Sequence, residues 1–311
     1  MSLYSIVVPV YNSEHTLEEL YQRLKDTFEN VMHEPFELIL VDDSSRDNSF
    51  AVMEKLRSQD RRVKIAQMAK NFGQPAAVLC GCEISKGDFV VTMDDDLQHP
   101  PEEIPKMAKV LQEQPEVDCV MGRYENRKHN AIRRLGTWVQ MKFTSSMLKK
   151  DPNLELTSFR MMRRFLVDTM LSTHTHLPQI GNLLVETSNR IVNVPVRHDA
   201  RKFGHSNYTF MHLVRDLLYD ITTNSIFPLI VVRNIGIVSF VISILLALWY
   251  LINYIAFGST VEGFTTLVLL TLAYNGLILL AIGIVGEYLM HTLDEAKKMP
   301  TYVVRRKDVE D

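Results

Sequence analysis

Along the first 125 or so positions, short apolar runs alternate with segments whose apolar residues recur at steps of three and four. "YSIVVPV", "FELILV", "VKIAQM", "DFVVTM" and "VDCVMG" read as strands. Between them, Leu17, Leu20, Tyr21, Leu24 and Phe28 mark one helix, and Phe50, Met53 and Leu56 a second. "AAVLCGCEI" reads as a third, and a fourth opens at Pro101, Glu102 and Glu103. Strand and helix in alternation predict an α/β fold with a mostly parallel sheet covered on both faces.

Polar residues collect where each predicted strand ends: "YNSE", "DDSSRD", "KNFGQ", "DDDLQ" and "GRY". In such sheets ligands bind beyond the carboxyl ends of the strands, so one crevice is expected to gather these loops. No G-x-G-x-x-G follows any strand, which removes the glycine-cradled pyrophosphate of a dinucleotide-binding domain.

The last third changes character. Asn234–Phe257 and Phe264–Gly286 are almost wholly apolar and free of charge, each long enough for a bilayer core of about 30 Å. The short "GSTVEG" between them predicts a two-helix transmembrane hairpin. Arg233 precedes it, and Lys297, Lys298, Arg305, Arg306 and Lys307 follow, placing both ends on the cytoplasmic side. Residues 126–150 mix Arg127, Lys128, Arg133, Arg134 and Lys142 with Ile132, Leu135, Trp138 and Phe143. Residues 208–227 are similar, and both segments are expected to lie along a membrane surface. The resulting layout is a catalytic domain over 1–207, an interfacial region over 208–232, two spans within 233–289 and a basic tail over 290–311. In that tail "TYVVRRK" reads as a strand with no evident partner, and strand exchange in a homo-oligomer is one way to supply it.

Composition adds exclusions. A net charge of −3 over 311 residues gives no argument for a nucleic-acid partner. Cys80, Cys82 and Cys119 are too few for a disulfide framework and lack metal-site spacing, so they are expected to be buried thiols. The N-terminus has neither a basic start nor a cleavage site, so no signal peptide is expected and the N-terminal domain belongs in the cytoplasm.

The chemistry concentrates in "MDDDLQHPPEEIP". Crowded carboxylates resist ionising unless something positive lies between them. If strand geometry persisted to Asp96, Asp94 and Asp96 would face the crevice and Asp95 would point away and be expendable. Mg²⁺ or Mn²⁺ suits such oxygen ligands, since Mg²⁺ is commonly held by one or two carboxylates together with substrate phosphates.

"VVPVYNSE", "LVDDSSRD", "KNFGQ", "MDDDLQHPPEEIP" and "MGRY", in this order, resemble the successive motifs of glycosyltransferase family 2 with the GT-A fold. "RKFGHSNY" and a C-terminus with "GEYL" extend the likeness to polyprenyl-phosphate glycosyltransferases such as dolichyl-phosphate mannose synthase and the bacterial undecaprenyl-phosphate enzymes. The resemblance implies an inverting transfer of a sugar from a nucleotide sugar, with UDP suiting the bacterial relatives, to a polyprenyl phosphate at the inner membrane. It implies nucleotide-sugar contacts from Pro9, Tyr11, Glu14, Asp42, Asn71, Gly73 and Asp94, and metal ligation by Asp96 and Gln98. Arg123 and Arg201 would engage diphosphate or acceptor phosphate, with Arg160 and Lys202 as further candidates. Two departures bear on this. Asn207 stands where many relatives have lysine, and Ser158 where many have aspartate; Lys202, His205 and Asp43 are candidate compensations.

Two rivals are expected to differ in kind. A processive polysaccharide synthase would carry Gln-x-x-Arg-Trp and a larger membrane portion, and neither occurs here. A non-catalytic nucleotide-sugar binder would need no basic lipid-facing groove.

Overall fold

The computed structural model describes residues 2–124, 151, 153–173, 179–199, scattered positions between 231 and 256, 263–296 and 300–309. The chain divides into two compact units, residues 1–206 with 298–311, and residues 207–297.

The first unit is built on one eight-stranded sheet in the order β7-β5-β6-β4-β1-β2-β3-β8. Its centre is β1 (Tyr4–Val10), flanked by β2 (Phe36–Asp42) and β4 (Phe89–Thr92), with β3 (Val63–Met68) outside β2, all parallel. β1 and β2 are buried at every position, as expected for strands covered on both faces. β6 (Arg160–Arg163) runs antiparallel between β4 and β5 (Cys119–Tyr124), and β7 (Ile191–Val196) lies parallel to β5 at the edge. The sheet is thus mostly parallel, as the alternation predicts; the inserted β6 came without a readable alternation in "RMMR".

Helix α1 (Leu17–Asp26) buries Leu17, Leu20, Tyr21 and Leu24 on one stripe. It widens into a π-helical turn over Thr27–Met32, which still buries Phe28. With α2 (Ser49–Gln59) and α4 (Ile104–Glu113), introduced by a 3₁₀ turn at Pro101–Glu103, it covers one face of the sheet. The other face is covered by α3 (Gln74–Ile84), α5 (Arg164–Ser172) and α6 (Ile180–Thr187). α3 is apolar all round and buried along most of its length, which explains why "AAVLCGCEI" has no polar face. Gly81 lets it sit against β1, for a Cβ there would lie 2.3 Å from Val7 Cγ1. The three cysteines are free and buried as expected, and burial pushes each thiol up to about 12.

The tail strand has a partner in its own chain. β8 (Val304–Asp308) runs antiparallel to β3, with Ile65 opposite Asp308 and Ala66 opposite Lys307, so strand exchange is not required. Ala69 N–H donates to the Val303 carbonyl at 2.8 Å, Arg57 pairs with Asp308 at 3.1 Å, and the Tyr302 hydroxyl donates to Glu83. Charged Arg305, Arg306 and Lys307 on this outermost strand blunt an edge that would otherwise invite pairing with other chains.

In the second unit, α7 (Phe264–Ala296) is one helix of 33 residues, about 50 Å at 1.5 Å per residue. It contains the whole of the second predicted span. Among the described residues no helix is long and apolar enough to cross a membrane. The first predicted span is described only at scattered helical positions, and the basic segments at 126–150 and 208–227 lie outside the described residues.

Candidate active site

The carboxyl ends of β1, β2 and β4 open onto one cleft of about 270 Å³, lined by Pro9, Val10, Tyr11, Asp43, Asn71, Gly73, Gln74, Asp94, Asp95 and Asp96. Backbone strain concentrates on its rim. Asn12 (φ 56°) follows β1, Ser44 (φ 60°) follows β2 and Leu97 (φ 62°) follows β4, each in the left-handed region that side chains avoid. Leu97, branched and 1% exposed, is the most costly of these and is held by burial.

The loops after β1 and β2 are stitched together. Asn12 N–H donates to Ser45 Oγ at 3.0 Å, Arg46 N–H to Asn12 Oδ1 at 2.8 Å, and Ser13 N–H to Ser49 Oγ at 2.7 Å. Glu14 belongs to this seam rather than to the cleft lining, accepting from Asn48 N–H at 3.0 Å. Tyr11 is 44% exposed, an unusual state for an aromatic ring beside a core strand.

Of the two adjacent aspartates after β2, the cleft takes Asp43. Asp42 is fully buried, and its oxygens accept from Ser45 N–H at 3.0 Å and the Gln67 amide at 3.1 Å. Asp43 accepts from Phe72 N–H at 2.7 Å and Gly73 N–H at 2.8 Å, fastening the loop that carries Asn71. Burial raises the Asp43 pKa, and the two backbone donors oppose that rise. Gly73 adopts φ +91°, open to glycine but strained for any other residue, and its Cβ position has no close neighbour.

The acidic turn overturns one expectation. β4 ends at Thr92, so strand alternation does not reach the aspartates, and Asp94, Asp95 and Asp96 all line the cleft. Asp95 is not turned away. Its Oδ2 accepts from the Ser13 hydroxyl at 2.5 Å and from Tyr11 N–H at 3.2 Å. Burial lifts its carboxyl to about 6; the Ser13 and Tyr11 bonds oppose the rise, while neighbouring Asp94 and Asp96 add to it. Asp94 accepts from the Gln74 amide at 2.5 Å and the Ser158 hydroxyl at 2.8 Å, so Ser158 rests on this carboxylate. Asp96 accepts from Gln98 N–H at 3.1 Å.

The cations are placed differently. Arg123 is exposed at the end of β5 and does not line the cleft. Arg160 is 8% exposed on β6, its Nε donating to the Ser158 carbonyl at 3.4 Å, and burial lowers its pKa from the usual guanidinium range. It is therefore not open to a lipid phosphate, and its Nη1 is buried with no hydrogen-bond partner among the described residues. Arg201, Lys202, Gly204, His205 and Asn207 lie outside the described residues.

Sequence reasoning passed over Ser13, Gln74 and His99, although each stood inside a motif it singled out. Their role is to bond carboxylates and backbone of the turn, and a neutral polar side chain in a loop carries little that separates such a task from solvation.

For a divalent cation the cleft lining offers oxygen donors, four carboxylates among them (Asp43, Asp94, Asp95 and Asp96), and no arginine or lysine. Among the described residues no group of three or more His, Cys, Asp or Glu is arranged to hold a metal by itself.

Comparison with known proteins agrees with this geometry. The glycosyl transferase family 2 model matches residues 5–171. An undecaprenyl-phosphate 4-deoxy-4-formamido-L-arabinose transferase of Proteus mirabilis is 31% identical, covering 97% of this chain and 93% of its own. The protein of that description from Pseudomonas fluorescens is 32% identical over 97% and 89%. Among solved structures, glucosyl-3-phosphoglycerate synthase of Mycobacterium tuberculosis superposes with a TM-score of 0.51 at 19% identity, over 71% of this chain and 78% of its own. The same synthase, in complex with Mn²⁺, UDP and glucosyl-3-phosphoglycerate, gives 0.51 at 18%, over 71% and 78%. A strained, carboxylate-rich cleft at the ends of parallel strands, a family match over more than half the chain and relatives aligned along nearly all of it lead to one assignment: the chain belongs to glycosyl transferase family 2 and is a glycosyltransferase.

Proposed function

We propose that the protein transfers a sugar from a nucleotide sugar, a UDP-sugar in the reading we favour, to undecaprenyl phosphate at the cytoplasmic face of a membrane. The observation that carries this is the cleft lined by Asp94, Asp95 and Asp96 within a chain that aligns over 97% of its length with undecaprenyl-phosphate sugar transferases. Tyr11 offers a flat, exposed ring for a nucleoside base, and Asn71 and Gly73 border the same space. Asp96 and Gln98 would hold Mg²⁺ or Mn²⁺, which when bound supplies positive charge to the departing diphosphate.

The remaining chemistry belongs to the chain. A lipid phosphate is already anionic at neutral pH, so its oxygen attacks the anomeric carbon without a strong general base. Arg123, exposed at the end of β5, with Arg201 and Lys202, would supply permanent or near-permanent positive charge to diphosphate or acceptor phosphate. The Gln74 and Ser158 bonds hold the Asp94 carboxylate in the cleft, where it would face the nucleoside side of the donor. One direct displacement inverts the anomeric centre.

The chain path supports membrane attachment by a hairpin. Residues 207–297 leave one compact unit and return to it, because β8 completes the sheet begun by β1. Both flanks therefore belong to a single folded body, and any crossing of a bilayer by the segment between them must be even in number. The two apolar runs read from the sequence, 234–257 and 264–286, would satisfy this.

The test is a transfer assay with purified full-length protein in detergent, undecaprenyl phosphate and radiolabelled UDP- and GDP-sugars, with and without Mg²⁺ or Mn²⁺. Metal-dependent appearance of a labelled lipid is expected with a UDP-sugar. Tight UDP-sugar binding without lipid product from any donor would refute transfer in favour of a binding role.

A further inference from the structure

We infer that His99 is a positioning residue for sugar transfer, fixing the Asp94 end of the acidic turn and tying it to the segment that leads into Arg201 and Lys202. This rests on the transfer reaction proposed above. His99 is 3% exposed and lies nearly parallel to two neighbouring rings, Phe159 at 5.3 Å and 8° and Tyr124 at 5.7 Å and 7°. Its Nδ1 accepts from Asp94 N–H at 3.1 Å. A neutral imidazole accepting there carries its proton on Nε2, which donates to the Tyr124 hydroxyl at 2.5 Å. One ring thus orients the backbone of a cleft carboxylate through one nitrogen and grips the end of β5 through the other.

The connection continues across the sheet edge. The His198 ring lies 4.3 Å from Tyr124, and the next residue, Asp199, donates its N–H to the Gln98 carbonyl at 3.1 Å. Two links therefore join the turn at residues 94–99 to residues 198–199, immediately before the candidate acceptor-phosphate cations in sequence. A purely structural ring would need the stacking alone, which phenylalanine also supplies. What phenylalanine lacks is the acceptor for Asp94 N–H and the donor for Tyr124.

Three full-length variants separate these contributions: His99→Phe keeps the stack, His99→Asn keeps an acceptor for Asp94, and Tyr124→Phe removes only the hydroxyl. Kd for UDP alone, kcat, KM for donor and for undecaprenyl phosphate, and melting temperature are measured for each. Expected are a kcat loss of about 30-fold and a UDP Kd raised about 10-fold for His99→Phe. His99→Asn should return the UDP Kd to within about threefold while its lipid KM stays about 5-fold high, and Tyr124→Phe should raise the lipid KM alone. The inference is overturned if all three variants lose activity in step with melting temperature and without this division of KM values, or if His99→Phe matches the wild type. Should the wild type bind UDP yet glycosylate no lipid phosphate, the transfer reading fails, while the UDP affinities of His99→Phe and His99→Asn still decide whether His99 sets the donor cleft.

Discussion

The Ser13 hydroxyl donates to Asp95 Oδ2 at 2.5 Å, joining the loop after β1 to the turn after β4. The middle aspartate is thus a tie between two strand ends that both border the cleft. Asp95→Ala releases this tie and leaves Tyr11 N–H without its acceptor, so we expect transfer to fall by at least about 10-fold. Asp96→Ala should fall by more than about 100-fold at nearly unchanged melting temperature. Initial rates and thermal melts of the two variants check both numbers; full activity of Asp96→Ala would overturn its proposed role as a metal ligand.

Two glycines should respond to alanine for opposite reasons. Gly73→Ala meets no crowding, its nearest neighbour being Pro75 Cδ at 3.8 Å, but must hold φ +91°, at a cost of about 1–2 kcal/mol. Gly81→Ala has an ordinary backbone yet drives a methyl to 2.3 Å from Val7, and we expect about 3 kcal/mol or more. Denaturant titration gives both values. Adding Val7→Ala should restore part of the stability of Gly81→Ala and none of that of Gly73→Ala.

Removing residues 301–311 strips β8 from β3 and uncovers a long interior edge. The shortened protein is expected to melt several degrees lower and to self-associate, as read by light scattering. An unchanged melt in a monodisperse sample would show that the pairing adds nothing in solution.

Acid should weaken the corner between α2 and β3. Burial opposes ionisation of Asp60, yet the Arg62 side chain, Arg62 N–H and the Tyr21 hydroxyl outweigh it and hold the carboxyl at about 2. A folded-state value below the unfolded one means stability present above about pH 4 and lost as pH falls toward 2. Allowing for partial solvent screening, the contribution is about 1–2 kcal/mol. The stability difference between wild type and Asp60→Asn should therefore be full at pH 6 and shrink steadily below pH 4; a difference flat from pH 6 to 2 would contradict the assignment.

Much of this was legible beforehand because it rests on periodicity. The five first strands and the helices between them follow from apolar spacing, and the site follows from the rule that ligands gather at strand ends. What escaped is what periodicity does not encode. "RMMR" is too short to announce an antiparallel strand, and its place between β4 and β5 is set by pairing far along the chain. The orientation of Asp95 was misjudged because alternation was carried past Thr92, where the backbone leaves the strand and passes through the left-handed Leu97. Choosing between Asp42 and Asp43 needed the positions of Gln67, Phe72 and Gly73, which only the folded chain provides.

The pairing of Ile65 with Asp308 has a consequence for biosynthesis. β3 leaves the ribosome early and β8 nearly last, with the whole of residues 207–297 made between them. The nascent catalytic sheet must wait with β3 as its bare margin until the apolar segment has been dealt with, and only then can the last residues close it. Completion of the sheet thus comes late in synthesis: the first unit gains its eighth strand only after residues 207–297 have been made, and a chain stalled before residue 304 leaves β3 as an unpaired edge.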